Sequence, residues 1–256
     1  MDWYLILAVI GAGFLCGFIN TLAGSGSVIS LPMLIFLGLP ANVANGTNRI
    51  AILLQSLTGV AVFRQHKMLE IRKGLVPSLA AVIGSLIGAN IAIEIDDAMM
   101  EKLIGVVMII MLVVVIYKPK KWLEGKQETI SKKTSVIQFI VFFFIGIYGG
   151  LIQAGVGIFL LSALVLSVGL DLVRANAIKL LIVTLYTPFA LAVFMIHDQV
   201  NYKWGFILAI GNVMGAYVAS KFAVNWGPQF IRYVLIVVMI YSALELFGII
   251  NIFPDH

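Results

Sequence analysis

The sequence predicts an all-α polytopic membrane protein made of two homologous repeats. Each repeat has a glycine-broken helical segment followed by three transmembrane helices. Hydrophobic residues make up 61% of the 256 residues and charged residues only 11%, which is too little charge for the surface of a soluble domain. Apolar runs recur at lengths of about 18 to 22 residues, each enough to cross a bilayer once. The two halves of the chain also share one pattern of residues.

Each half begins with an apolar segment that is interrupted at its centre by glycine and small polar residues. The first segment, residues 5–37, is interrupted at residues 20–27, and the second, residues 136–166, at residues 149–157. Such residues suit hydrocarbon poorly unless the backbone there faces a partner, a cavity or a ligand. Two breaks at matching positions of a duplicated sequence indicate the binding site of a transporter.

The duplication follows from a constant shift of 131 residues that begins where Gly38 pairs with Gly169. The polar and glycine pairs are the main support for the duplication, because apolar residues often match by chance in membrane sequences. These pairs are Asn45 with Asn176, His66 with His197, Gly74 with Gly205, and Gly84 with Gly215. Upstream the shift is 129, so that Ser25-Gly26 faces Ala154-Gly155. We therefore divide the chain into a first repeat at 1–117, a linker at 118–135 and a second repeat at 136–256.

The predicted full spans are residues 44–63, 75–93, 99–117, 175–196, 204–222 and 231–250. The linker at 118–135 contains six lysines, and the positive-inside rule places it in the cytoplasm.

Two topologies remain open for the repeats. A single slanted crossing by each broken segment gives a parallel repeat, whereas a re-entrant hairpin, or two short crossings, gives an odd number of crossings and an inverted repeat. We favour the inverted repeat because it places Arg174, Lys221 and Arg232 on the inside. A straight helix over residues 5–37 would also be about 50 Å long, too long for one bilayer.

The breaks themselves form the first group of candidate site residues. A broken helix leaves unpaired N–H groups at the start of its second part, and these groups favour an anion. Glycines let the backbone approach a ligand closely; the alternative is that they only let helices pack tightly, which does not explain the polar neighbours. The predicted substrate-binding residues here are Thr21, Gly24, Ser25, Gly26, Ser27, Gln153, Gly155 and Gly157.

A second group of candidates follows each break. Arg49 and Lys179 lie several residues inside an apolar span, where a cation is costly and normally faces a cavity or a partner. No acidic residue lies in the same part of either span, so an anionic substrate would offset the cost; snorkelling to the headgroups is the alternative. The predicted substrate-binding residues of this group are Asn45, Thr47, Asn48, Arg49, Asn176 and Lys179. Gln55 and Tyr186, which align in the repeat, either line the pathway or bond between helices.

These motifs resemble the sulfite exporter TauE/SafE family. The glycine-rich break is followed by Pro32, by Gly38-Leu39-Pro40 and by residues 44–48, and residues 149–157 and 174–177 fit in the second half. The resemblance covers essentially the whole chain. It implies a multi-pass permease of the plasma or inner membrane that moves sulfite or organosulfonates, usually outward. Members often have a glycine triplet where this chain has residues 24–27 as Gly-Ser-Gly-Ser, which bears on anion preference.

The functional hypothesis is a secondary transporter that exports a small sulfur-containing anion by alternating access, and not an enzyme. Its partners are that anion and the lipid bilayer; no nucleic acid, cofactor or metal is predicted, and a homodimer is left open. A passive anion channel is one alternative. The other is an intramembrane serine hydrolase with Ser25 as nucleophile and His66 or His197 as base, although Ser25 faces Ala154 in the repeat.

Overall fold

The computed structural model describes the backbone of residues 3–106 and 132–246, and the side chains of residues 3–106 and 136–226. These ranges contain nine helices and no strand. The first half has α1 (Trp3–Leu22), α2 (Ser27–Phe36), α3 (Ala41–Gln65), α4 (Ile71–Glu94) and α5, which begins at residue 97 and is described as far as 106. The second half has α6 (Lys132–Leu151), α7 (Val156–Val168), α8 (Leu172–Ile196) and α9 (Tyr202–Leu246).

Four of the described helices are long and apolar enough to cross a membrane. They are α1, α4, α8 and the part of α9 from Tyr202 to Trp226. The apolar helices α2 and α7 are shorter, at 10 and 13 residues. The prediction of an all-α polytopic membrane protein is therefore confirmed.

Both broken segments reverse the direction of the chain. In the first, Cys16 of α1 donates to Ser30 of α2 at a sulfur–oxygen distance of 3.4 Å. In the second, Gln138 near the start of α6 donates to the carbonyl of Ser167 near the end of α7, over 2.7 Å. Each broken segment is therefore a helical hairpin, with its tip at residues 23–26 or 152–155.

The helices of the two halves interleave. α1 packs mainly along α9, and α6 packs mainly along α4. These helices approach closely because glycines remove the side chain at the contacts: a Cβ at Gly88 would overlap the carbonyl of Ile147, and one at Gly215 would overlap the carbonyl of Phe14. The first helix of each half thus lies on a helix of the other half.

The length of α9 differs from the prediction. The sequence predicts separate spans at 204–222 and 231–250, but α9 is one helix of 45 residues, about 67 Å long at the usual helical rise. Hydropathy detects the polar residues between two apolar runs but not whether the backbone hydrogen bonds continue through them. In the second half the break is accordingly followed by two described helices rather than three.

The linker lies mostly outside the described residues. Residues 118–131 and the later part of the predicted span at 99–117 are not described, and α6 begins at Lys132, four residues before the predicted second repeat.

Candidate functional site

The tip of the first hairpin meets the start of α7, next to the tip of the second hairpin, in backbone contact. A Cβ built at Gly24 would overlap the backbone of Gly157, and a Cβ at Gly157 would overlap Gly24. Gly24 has a φ of +80° and Gly155 a φ of +70°, a conformation that glycine adopts without the steric cost of a side chain. Glycine is therefore needed here both for the turn of each tip and for the contact between the tips.

A small cavity lies beside this contact. Its wall comes from both halves of the chain, with helices α1, α3, α7 and α8 and the tip of the second hairpin all contributing. The lining residues are Asn20, Ile52, Gln55, Gln153, Val156, Gly157, Lys179, Leu180 and Val183. Four of the predicted site or pathway residues are among them: Gln55, Gln153, Gly157 and Lys179.

Lys179 is buried in the wall of this cavity and binds the end of α1. Its Nζ donates to the carbonyl oxygens of Asn20 at 3.0 Å and of Thr21 at 2.8 Å. The last carbonyls of a helix carry a partial negative charge, which stabilises a cation. An ammonium has three N–H donors, so one donor remains for a ligand in the cavity.

Arg49 makes the corresponding contact with the other hairpin. Its two terminal nitrogens donate to the carbonyls of Gly149 at 3.1 Å and Gly150 at 2.5 Å, at the end of α6. The guanidinium also lies 4.5 Å from the ring centre of Phe194, and Asn45 donates to the next carbonyl, that of Leu151, at 2.7 Å. Backbone carbonyls thus supply a negative partner for Arg49, and its role in binding a substrate stays a prediction.

Two more predicted residues hold parts of the protein together. Asn48 donates to Ser27 at 3.3 Å and accepts from Ser30 at 2.7 Å, which joins α3 to α2. Thr47 accepts from the backbone N–H of Asn201 at 2.8 Å, beside the start of α9. Thr47 is thus directed toward the connection between α8 and α9 rather than toward the cavity.

Several buried polar atoms near the tips have no hydrogen-bond partner among the described residues. Such atoms are uncommon in proteins because an unpaired buried polar group is costly. They belong to Thr21, Ser25, Asn45, Arg49, Gln55, Gln153 and Asn176. In Gln55 and Asn176 both amide atoms are unpaired; in Gln153 only Oε1 is, because Nε2 donates to Thr187 at 3.1 Å and to Tyr186 at 3.5 Å.

The sequence analysis did not select some residues of the cavity. Asn20 has a usable signal, since it is an amide inside an otherwise apolar helix and directly precedes Thr21. Ile52, Leu180 and Val183 have none, because apolar residues are expected throughout these helices. The described residues give Ser25 no histidine partner, and the described contact of His197 is with the carbonyl of Val193 in its own helix, at 2.8 Å.

Two broken helical hairpins that meet beside a cavity between interleaved halves, with a buried lysine in its wall, are typical of a membrane transporter. Comparison with known proteins identifies the family: the model of the sulfite exporter TauE/SafE family matches residues 9–246. The chain belongs to this family.

Curated relatives support the same class. A probable membrane transporter protein of Haemophilus influenzae is 24% identical over 91% of this chain and 91% of its own length. A probable membrane transporter protein of a Sinorhizobium species is 24% identical over 96% of this chain and 94% of its own. The probable membrane transporter protein YfcA of Escherichia coli K12 is 24% identical over 88% of this chain and 82% of its own length. No solved structure matches the chain.

Proposed function

We propose that this membrane transporter is a secondary transporter that exports a small sulfur-containing anion, such as sulfite or an organosulfonate. The observation that carries the proposal is the cavity at the hairpin tips, in which buried Lys179 lies beside the buried amides of Gln55 and Gln153. A charged residue inside a membrane protein is a functional-site hypothesis by default, and a cation favours an anionic ligand. The description of the family supplies the sulfur chemistry.

The cavity offers donors that suit an oxyanion. Val156 and Gly157 of the lining are the first two residues of α7. The N-cap of this helix is Gly155, which has no side chain to bind the N–H groups of the first turn. The N–H groups of this first turn and the positive end of the helix dipole favour an anion. Sulfite and sulfonates each have three oxygens, which the third N–H of Lys179, the amide of Gln55 and these backbone groups would bind together.

A binding screen of the purified protein tests the substrate class. The ligands are sulfite, sulfoacetate, taurine, sulfate and phosphate, measured by calorimetry in detergent. We expect saturable binding of sulfite or sulfoacetate, at least tenfold tighter than binding of phosphate. Equal affinity for phosphate, or no binding of either sulfur ligand, would contradict the proposal. In proteoliposomes, substrate on the far side of the membrane should accelerate exchange, which a passive channel would not do.

We also propose that the two halves are copies of one fold in inverted orientation. Backbone details recur at the shift of 131 residues. Lys67 and Asp198 are non-glycine residues with positive φ, at +58° and +55°, and Gly38 and Gly169 have φ values of +84° and +73°. The exchange of partners, with α1 on α9 and α6 on α4, is what a pseudo-twofold axis between the halves would produce.

In this arrangement the hairpins are re-entrant. The 10 residues of α2 extend about 15 Å, half of a hydrocarbon core of about 30 Å. A re-entrant hairpin adds no crossing to its half, and the rocking of one half against the other would expose the cavity to each side in turn.

Cysteine labelling tests the orientation. Single cysteines at Gln199 and at Lys126, which lies outside the described residues, are introduced into a Cys16→Ser background. We expect an impermeant maleimide to label the two positions from opposite sides of the membrane. Labelling of both from one side would support the parallel repeat instead.

A further inference from the structure

The two buried cations form reciprocal contacts between the halves of the protein. Arg49 of the first half binds the end of α6, and Lys179 of the second half binds the end of α1. Each cation thus attaches the long helix of the opposite hairpin to the helix that carries the cation. The two contacts are similar in position but differ in what surrounds them.

The Arg49 contact is closed. Both terminal nitrogens of the guanidinium are bound to carbonyls and the ring of Phe194 lies 4.5 Å away. Nε has no partner among the described residues, but Arg49 is not part of the cavity wall. A guanidinium is a rigid fork, and two parallel hydrogen bonds fix its orientation. This geometry fixes α3 to the end of α6.

The Lys179 contact is open on one side. Lys179 lines the cavity, and so does Asn20, one of the two residues whose carbonyls it binds. An ammonium on a flexible stem can rotate between partners. An anion in the cavity would offer the ammonium a full opposite charge, whereas the carbonyls of Asn20 and Thr21 offer only the partial negative charge of a helix end, so the anion is the better partner.

We infer that the transported anion competes with the carbonyls of Asn20 and Thr21 for Lys179, whereas Arg49 stays on α6. Binding of the anion then releases the end of α1 from α8 and frees the first hairpin to move against the second half. The released carbonyls can be hydrated, because Asn20 borders the cavity. Lys179 thereby couples occupancy of the cavity to movement of one hairpin. This inference takes its ligand from the proposed function.

Hydrogen exchange of the unmodified protein tests the inference, because the expected sign is opposite to ordinary protection by a ligand. Deuterium uptake is measured by mass spectrometry with and without saturating sulfite, and separately with sulfoacetate. We expect uptake to rise in peptides covering residues 20–26 and to stay unchanged in peptides covering residues 149–155. Protection of residues 20–26, or a rise at both hairpin tips, would overturn the inference.

A matched pair of variants separates the two cations. Lys179→Gln keeps an N–H donor for the carbonyls but removes the charge, so it should fold and bind the anion at least tenfold more weakly. Arg49→Gln should lower the thermal unfolding midpoint, and the folded fraction should lose less affinity for the anion than Lys179→Gln does. Equal losses of affinity would overturn the assignment of different roles.

The failure of this inference can be told apart from failure of the proposed function. If the parent protein binds no sulfur anion, the proposed function and this inference are both wrong. If it binds one but residues 20–26 become protected, the substrate class stands and the role of Lys179 is wrong.

Discussion

At the scale of single residues, the buried polar groups near the hairpin tips are of two kinds. Asn45, Asn48 and the two terminal nitrogens of Arg49 donate to backbone carbonyls or serine hydroxyls of neighbouring elements. Gln55 is equally buried, but neither of its amide atoms has a partner among the residues that the structure describes. The first kind stabilises the contacts between elements, and the second retains unused hydrogen-bonding capacity that a ligand can take up.

This division leads to a prediction for Gln55→Leu. Removing an unpaired buried amide should leave the protein as stable as the parent or stabilise it by about 1–3 kcal/mol. The same change removes a donor from the cavity, so the affinity for sulfite should fall about tenfold. Thermal unfolding in detergent and calorimetric titration measure the two effects on one preparation.

Ser220→Ala is the matched control for Gln55→Leu. Ser220 is also buried with an unpaired hydroxyl, but it does not line the cavity. Its removal should leave the affinity for sulfite unchanged. If Gln55→Leu also binds sulfite with the parent's affinity, Gln55 does not contact the anion.

At the scale of elements, the hairpin tips bring the ends of helices together instead of their faces. The carbonyl end of α1 receives Lys179, the carbonyl end of α6 receives Arg49, and the N-terminal end of α7 faces the cavity. The tips are not identical, because the residue with positive φ is Gly24, two residues after α1, but Gly155, four residues after α6. The unequal polarity of the two breaks in the sequence is thus accompanied by unequal turns.

The contact between the tips predicts a strong effect of Gly24→Ala. The alanine must adopt a left-handed backbone conformation, which costs about 1–2 kcal/mol. Its methyl group would also overlap the backbone of Gly157. We expect a lower unfolding midpoint and at least a tenfold lower rate of anion exchange in proteoliposomes.

Gly38→Ala distinguishes the two causes. Gly38 has a φ of +84°, close to that of Gly24, but a Cβ there meets no atom within 4 Å. The Gly38→Ala variant should therefore lose only the stability that the left-handed backbone costs, with a rate of anion exchange close to that of the parent. Equal exchange rates in the two variants would mean that the contact between the tips is not required.

At the scale of the whole molecule, the two halves are also joined at the surface. Glu70, just before α4, accepts from Arg174 near the start of α8 at 2.9 Å, and pairs with Lys73 at 2.7 Å. The hydrogen bond from Lys73, aided by the nearby charge of Arg174, lowers the pKa of the Glu70 carboxyl against the opposing effect of partial burial. The ion pair between Glu70 and Arg174 is partly exposed, so it contributes about 1 kcal/mol or less to the stability of the folded protein.

The lowered pKa of Glu70 fixes the direction of a pH effect. A carboxyl whose pKa is lower in the folded state stabilises the protein fully above its ordinary pKa of 4.5, and the contribution is lost as pH falls through the lowered value. Glu70→Gln should therefore reduce the stability by up to about 1 kcal/mol at pH 7 and have no effect below both pKa values. Unfolding in detergent across this pH range checks it, and a difference that persists in strong acid would contradict the ion-pair explanation.

The sequence by itself determined the membrane class, the family, the two breaks and several residues of the cavity, including Gln55, Gln153 and Lys179. These conclusions depend on composition, hydropathy and the order of motifs, which are local properties of the chain. The tertiary structure alone decided that the tips touch, that α9 continues through residue 246 and which groups bind Arg49 and Lys179. The physical reason is that their partners are backbone carbonyls 100 to 159 residues away. Every residue has a carbonyl, so only the fold determines which ones end a helix beside a buried cation.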